Sequence, residues 1–517
     1  MEKTNKKRNI IIGIALYIVF LIIMNINYFT EFISDPYKGP KSKLLYAGLS
    51  IIISIIVAAL ILLFNKKRKI KPEKVFVILA SIFGVIYMFT TPLLKGHDER
   101  YHWYKSYAVS MGNFMQVKNE EEVLGDNLPS KVEGIYEAQE NYTLMDYKTA
   151  MNAWNYAKDD SISNDIKFTA NEPTTVYPPI QMLPQAIGIF LGRSIGLDVY
   201  LQGLCGRLTN LMFFIIMGYF SIKYLPSKKY FLVALLLSPK ILYISATLSG
   251  DVFINMTAIL FTSYIFKLRK EKQLLTKKDI ALLVILTPCI AVSKLVYFAI
   301  CGLVLLIPKE CFKTKKRKVL FIIGIAILTI ISMLTWVGLL NVMDRNSSQN
   351  ALEQREWIFT HPISYLGVLI RGVCNNFSAW ALDMVGGAME WDVALRQPQI
   401  ISIIIYIILI LSLMKEKSEE QEKYNIWEYI VIVGIALIVI AGVITALYLE
   451  WTSATKIGGT EITGVQGRYF TPITLLLTAI IPIQYIENKK KIPTKWIYIM
   501  MTLCQLPSLL NMFIHYI

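Results

Sequence analysis

The sequence predicts an all-α integral membrane protein of about 13 helical crossings. Three observations carry this expectation. Of the 517 residues, 55% are hydrophobic, and the mean hydropathy of +0.48 is far above that of a water-soluble globule. Apolar segments of roughly 20 residues, the length that spans a hydrocarbon core, recur from Ile10 to the C-terminus. Lys and Arg, the source of the net charge of +16, are concentrated in short stretches between those segments, at 3–8, 66–74, 223–229, 267–278, 309–318, 415–423 and 489–495. Such clusters face the cytoplasm by the positive-inside rule. The basic balance therefore reports topology and contact with anionic membrane lipid, and it excludes a nucleic-acid groove as its cause.

With those stretches inside, the remainder alternates. Residues 1–74 hold two N-terminal spans, 10–27 running outward and 44–63 returning; no small-residue cleavage pattern follows the first, which is expected to be retained. Segment 75–94 runs outward and delivers Asp98 to the external side. Residues 95–197 form a large external loop, too long for a plain connector. Its polar part, 95–179, is richer in Asp and Glu than in Lys and Arg and carries Trp154 and Tyr156, suited to interfacial helices. Its end, 180–197, is apolar but interrupted by Pro184, which predicts a short, partly embedded helix.

The rest of the bundle, 198–517, begins with crossings at 204–222, 230–248 and 252–266. A short hairpin follows, 279–292 and 295–307, with Ser293-Lys294 at its outer tip. Span 319–340 leads to a second external region at 341–398, which contains an apolar, re-entrant piece at 363–380. Spans 400–414 and 426–447, an external loop at 449–469, and spans 470–486 and 496–513 complete the chain. No internal repeat is evident. The six cysteines are scattered without CxxC or Cys/His spacing, so neither a disulfide framework nor a zinc site is expected.

On this topology the unusual polar residues converge on one side of the membrane: Asp98, Glu99, Arg100 and His102; Tyr177, Gln181 and Arg207; Asp251; Lys294; and Gln466, Arg468 and Tyr469. If helix continues through 94–103, Asp98 and His102 share a face. A carboxylate held against apolar neighbours has its pKa raised, which suits a general base; the same Asp-Glu pair also fits a helix-capping acid. Arg207 lies inside an apolar run, where a guanidinium needs an acid or an anionic ligand unless it snorkels to the interface. Lys294 carries the same choice between a ligand and a turn lysine. Arg468 follows two glycines that let backbone approach a ligand, and its fork matches phosphate. Asp251, after Ser249-Gly250, fits the cap of a helix starting at Val252. His361 and His515 are assigned to structure or solvent.

Taken in order, Pro92, Asp98-Glu99 with His102, Tyr177-Pro178-Pro179, Leu183 to Gly188, Arg207-Leu208, Ser238-Pro239, Ser249-Gly250-Asp251, Lys294 and Gly464-Val465-Gln466-Gly467-Arg468-Tyr469 resemble a family of bacterial multi-pass membrane proteins of unassigned function related to the GT-C glycosyltransferase superfamily. The resemblance implies a GT-C-like bundle whose large external loop bears an acidic catalytic residue, with a polyprenyl-phosphate-linked sugar as donor. Carried over, Asp98 is the loop acid and Glu99 its catalytic neighbour. Two departures stand out: extra spans precede the loop, and 93–97 lengthens the approach to the acid.

The expected activity is inverting transfer of a sugar from the polyprenyl-phosphate donor to a cell-envelope glycopolymer on the outer face of a bacterial membrane. Arg100, His102, Tyr177, Gln181, Arg207, Asp251, Lys294, Gln466, Arg468 and Tyr469 are the candidate residues for substrate and donor phosphate. No cofactor is required, although Asp98 and Glu99 could together hold a divalent metal loosely. The alternative is a transporter or flippase of lipid-linked sugars, which would use the same cations but open to both sides through broken helices and inverted repeats.

Overall fold

The structure, a computed structural model, describes residues 18, 39–65, 70–140, 147–342, 349–387, 389, 399–414, 424–454, 456–480 and 494–516. The expected span at 10–27 lies outside them except for Ile18. So do the basic stretches 3–8 and 415–423 and parts of 66–74, 341–398, 470–486 and 489–495.

The described chain is mostly helical: α1 Pro40–Asn65, α2 Pro72–Thr90, α3 Glu99–Ser110, α4 Ser130–Glu140, α5 Tyr147–Lys158, α6 Pro179–Ser194, α7 Val199–Tyr224, α8 Lys229–Leu236, α9 Pro239–Ser245, α10 Asp251–Glu271, α11 Lys277–Ser293, α12 Lys315–Val342, α13 Gln349–Thr360, α14 Pro362–Val385, α15 Gln399–Leu413, α16 Ile426–Leu447, α17 Thr474–Ile480, α18 Thr494–Leu503 and α19 Gln505–Tyr516. Among the described residues seven helical stretches are long and apolar enough to cross a membrane: α1, α2, α7, α10, α12, α16 with its extension to Thr452, and α18 with α19. Local sequence sets their ends. Thr276 and Asp279 form a capping box on α11 and Asn425 with Glu428 another on α16, each satisfying orphan N–H groups. The expected crossing at 230–248 is instead two short helices, α8 and α9, because Pro239 has no N–H to continue the ladder.

Burial ranks the helices. The apolar stretch of α10 is 89% buried and that of α12 only 17%, so α10 is the central post of the bundle and α12 a lipid-facing one. Position 251, the first residue of α10, therefore lies among the helices rather than at their rim. Helices α6 and α7 approach closely at Gly188, where an added Cβ would sit 2.2 Å from the Cys205 carbonyl oxygen. Small residues allow this kind of helix contact in membranes.

The large loop departs from the all-α expectation. It contains a three-stranded antiparallel sheet in the order β1-β2-β3, formed by Val117–Lys118, Leu124–Pro129 and Ile166–Ala170, with Gly125 opposite both Val117 and Ala170. This unit is docked on the bundle through one apolar cluster that joins Trp103, Tyr107, Leu128, Val132 and Ile135 to Leu93, Ile189, Val199 and Leu248. The Trp103 indole N–H donates to the Val132 carbonyl at 2.9 Å. The loop and the membrane helices thus share a core, which places α3 over the end of the bundle.

Candidate functional site

The site is built on the turn between α2 and α3. Leu94 and Asp98 both adopt left-handed backbone, with φ of 68° and 56°, a conformation that costs a residue bearing a side chain. The helix starts only at Glu99, so the continuous helix expected through 94–103 does not form. What holds the turn is the buried pair behind it. Arg207 Nε donates to Glu99 Oε1 at 2.6 Å and Nη2 to Oε2 at 2.5 Å, while its remaining N–H groups reach the carbonyls of Met88, Thr91 and Pro92 at 2.7–2.8 Å. Glu99 also accepts from the backbone N–H of Gly96 at 2.9 Å and of Leu248 at 2.8 Å.

Both side chains are 0% exposed. A guanidinium has five N–H donors, and all of them end on protein here. Arg207, expected to grip phosphate, has none left for a ligand. Glu99, expected beside the base in catalysis, likewise serves the turn, with both carboxylate oxygens engaged. Among the described residues no group of three or more His, Cys, Asp or Glu side chains is arranged to hold one.

On the other side of the turn runs a chain of alternating charge. Asp98 is hydrogen-bonded by Arg468 Nη2; Arg468 Nη1 lies 3.3 Å from Asp251 Oδ2; and Lys294 Nζ donates to Asp251 Oδ1 at 2.6 Å. Asp98 is the most exposed member, its side chain 36% exposed against 17% for Lys294 and 3% for Arg468. Asp251 does not cap α10 with its side chain. It bridges two cations, and Lys294 is an ion-paired residue rather than a solvated turn lysine. Tyr469 lies beneath both cations, with its ring centre 4.7 Å from Lys294 Nζ and 5.2 Å from Arg468 Cζ. Tyr177 is 5.6 Å from Lys294 and stacks on His102 at 5.3 Å.

The two arginines differ in what they leave over. Arg468 is buried, yet its Nε and Nη1 have no hydrogen-bond acceptor among the protein atoms. Its backbone is pinned through Gly467, whose N–H donates to Asp383 at 2.7 Å, with the Lys240 ammonium 3.6 Å from the same carboxylate.

Residues 79–477 match a family described as predicted membrane protein, DUF2142. The chain belongs to the DUF2142 family. No curated protein and no solved structure matches it. The DUF2142 match encloses every member of the charge chain and the Glu99–Arg207 pair.

Electrostatics in this DUF2142 site run against one expectation. Burial pushes the Asp98 carboxyl up, but the charge and hydrogen bond of Arg468 outweigh it, and the group lies below its ordinary value rather than above it. Burial pushes His102 down to about 4, against the pull of Asp251 and Asp98, so its ring is neutral at neutral pH. His97, 3.7 Å from Asp98, is held well below its usual range by burial and by Arg468 and Lys240.

The remaining candidates are dispersed around this centre. Arg100 points away into the loop unit, where it donates to the Tyr104 hydroxyl at 3.1 Å and lies 3.9 Å over the Tyr136 ring. Gln181 is fully buried beside the start of α10, its Nε2 3.0 Å from where a Cβ on Gly250 would be. Gln466 supplies the carbonyl that accepts from the Tyr469 N–H at 3.2 Å. Sequence reasoning missed His97, Lys240 and Asp383. The signal for Lys240 was present: a lysine inside the apolar run 230–248 demands a partner.

Proposed function

We propose that this chain is an inverting glycosyltransferase with a GT-C-like bundle, moving a sugar from a polyprenyl-phosphate donor to a cell-envelope glycopolymer on the outer face of a bacterial membrane. The observation that carries the reading is Arg468, a buried guanidinium whose Nε has no acceptor and whose Nη1 has only its ion contact with Asp251, touching Asp98, the most exposed carboxylate of the cluster. An anion site beside an accessible base is what transfer from a phosphate leaving group needs.

In the proposed step the acceptor hydroxyl hydrogen-bonds to Asp98 and gives it the proton as the oxygen attacks the anomeric carbon from the side opposite the phosphate. The bond from that carbon to the phosphate oxygen breaks, and its electron pair leaves on the lipid phosphate, where Arg468 and Lys294 stabilise the charge. Paired with Arg468, Asp98 is a weak base. A phosphate that draws Arg468 to itself removes part of the counter-charge, so donor binding raises the basicity of Asp98 when the acceptor needs it.

The test is purified full-length protein given a radiolabelled polyprenyl-phosphate sugar and envelope glycopolymer. A positioned base contributes about 10²–10⁴-fold, so Asp98→Asn should lose that much transfer while keeping its fold. Passage of intact donor across vesicles without transfer would overturn the enzyme in favour of a flippase.

A further inference from the structure

The seam between α3 and α6 holds buried polar groups that the charge chain does not use. On α3, His102, Lys105 and Ser106 fall on one face at helical spacing, and on α6 Gln181 and Gln185 are one turn apart. The Ser106 hydroxyl donates to Gln185 Oε1 at 2.7 Å, which ties the two faces together. All five side chains are buried, with Lys105, Gln181 and Gln185 at 0% exposure.

Nevertheless Nδ1 of His102, Nζ of Lys105, both amide atoms of Gln181 and Nε2 of Gln185 have no hydrogen-bond partner among the protein atoms. Each such group costs stability, and native proteins bury few. Their clustering on two facing helices calls for a physical cause.

Position and chemistry supply one. The upper end of the seam meets the charge chain, since Gln181 adjoins Gly250 beside Asp251 and His102 stacks on Tyr177 beneath Lys294. An ammonium and two amide NH2 groups outnumber the one unengaged amide carbonyl, so an occupant must bring oxygen acceptors. Lys105 has one charged group to balance it, Asp126, which lies beyond ion-pair distance and is itself held by Gln116 and Asn171.

We propose that this seam reads the sugar of the donor: ring hydroxyl or acetamido oxygens accept from Lys105, Gln181 and Gln185 while the lipid phosphate lies on Arg468 and Lys294. This rests on the glycosyl-transfer reading and extends it to the headgroup. The unpartnered atoms have almost no accessible surface, so loading the seam parts α3 from α6. A site built to hydrogen-bond a substrate discriminates strongly against the analogue that lacks the matching group.

The experiment measures binding of bare polyprenyl phosphate and of its glucosyl and N-acetylglucosaminyl forms to full-length protein in nanodiscs. The wild type should prefer a sugar-bearing lipid by roughly tenfold or more. Gln181→Leu/Gln185→Leu should bring that preference close to one, by lowering the affinity for the sugar-bearing lipids toward that for the bare lipid. A preference kept in this variant overturns the sugar subsite alone. Should the double variant not fold, Lys105→Met is read by the same ratio. Failure of the wild type to bind any of the three lipids, or bare-lipid binding that survives Arg468→Gln, overturns the glycosyl-transfer reading itself.

Discussion

Replacing Arg207 and Arg468 by glutamine, one at a time, separates a guanidinium that holds the fold from one that waits for a ligand. Arg207→Gln leaves the Glu99 carboxylate buried at 0% exposure without its bidentate partner and strips donors from the carbonyls of Met88, Thr91 and Pro92. Breaking a buried pair in this way costs about 3–5 kcal/mol. Arg468→Gln is milder: Asp251 keeps Lys294 at 2.6 Å, Asp98 turns to solvent, and an Nε without an acceptor is removed along with the contacts of Nη1 and Nη2, so the cost is about 1–2 kcal/mol. The measurement is denaturant unfolding of both variants in nanodiscs, followed by tryptophan fluorescence, with polyprenyl-phosphate binding recorded on the same preparations. Arg207→Gln should lose stability, and whatever folds should bind; Arg468→Gln should stay folded and bind poorly. Wild-type stability in Arg207→Gln, or an Arg468→Gln that loses the larger share of stability and none of the binding, would refute these two roles.

His102 gives a pH signature. Its folded value of about 4 lies below the ordinary 6.5, so the unfolded chain binds more protons between those limits, and stability is full above pH 6.5 and is lost as pH falls through about 4. The loss is roughly 3 kcal/mol; an unfolding series across that range should show a shallower slope for His102→Gln, and an unchanged slope would remove His102 as its source. At Gly467 an added Cβ would sit 2.0 Å from the Trp380 carbonyl oxygen and 2.5 Å from the Met384 nitrogen. Backbone cannot yield as a flexible side chain does, so Gly467→Ala must shift Arg468 and should weaken lipid-phosphate binding; retained wild-type affinity would show that the approach of this loop does not set the arginine.

Adjacent residues illustrate where reading the chain stopped. Asp98 and Glu99 are chemically alike and neighbours, yet one faces solvent beside Arg468 and the other is buried against Arg207. The left-handed backbone at Asp98 turns the two carboxylates apart, and no local pattern announces that. The break between α8 and α9 was legible in Pro239. The small sheet was not: Val117–Lys118 is only two residues long, and Leu124–Pro129 contains Gly125, Asp126, Asn127 and Pro129, poor strand formers, and is buried at five of its six positions, so it shows no alternation.

What the sequence by itself determined is the medium: apolar stretches flanked by Lys and Arg can satisfy their backbone in lipid only as helices, and they place a set of polar residues near one membrane face. What only the tertiary structure decided is which charge meets which. Asp98 and Arg468 are 370 positions apart, Glu99 and Arg207 108, and Asp251 and Lys294 43. Coulomb energy depends on separation in space and on burial, and those quantities exist only once the helices have packed.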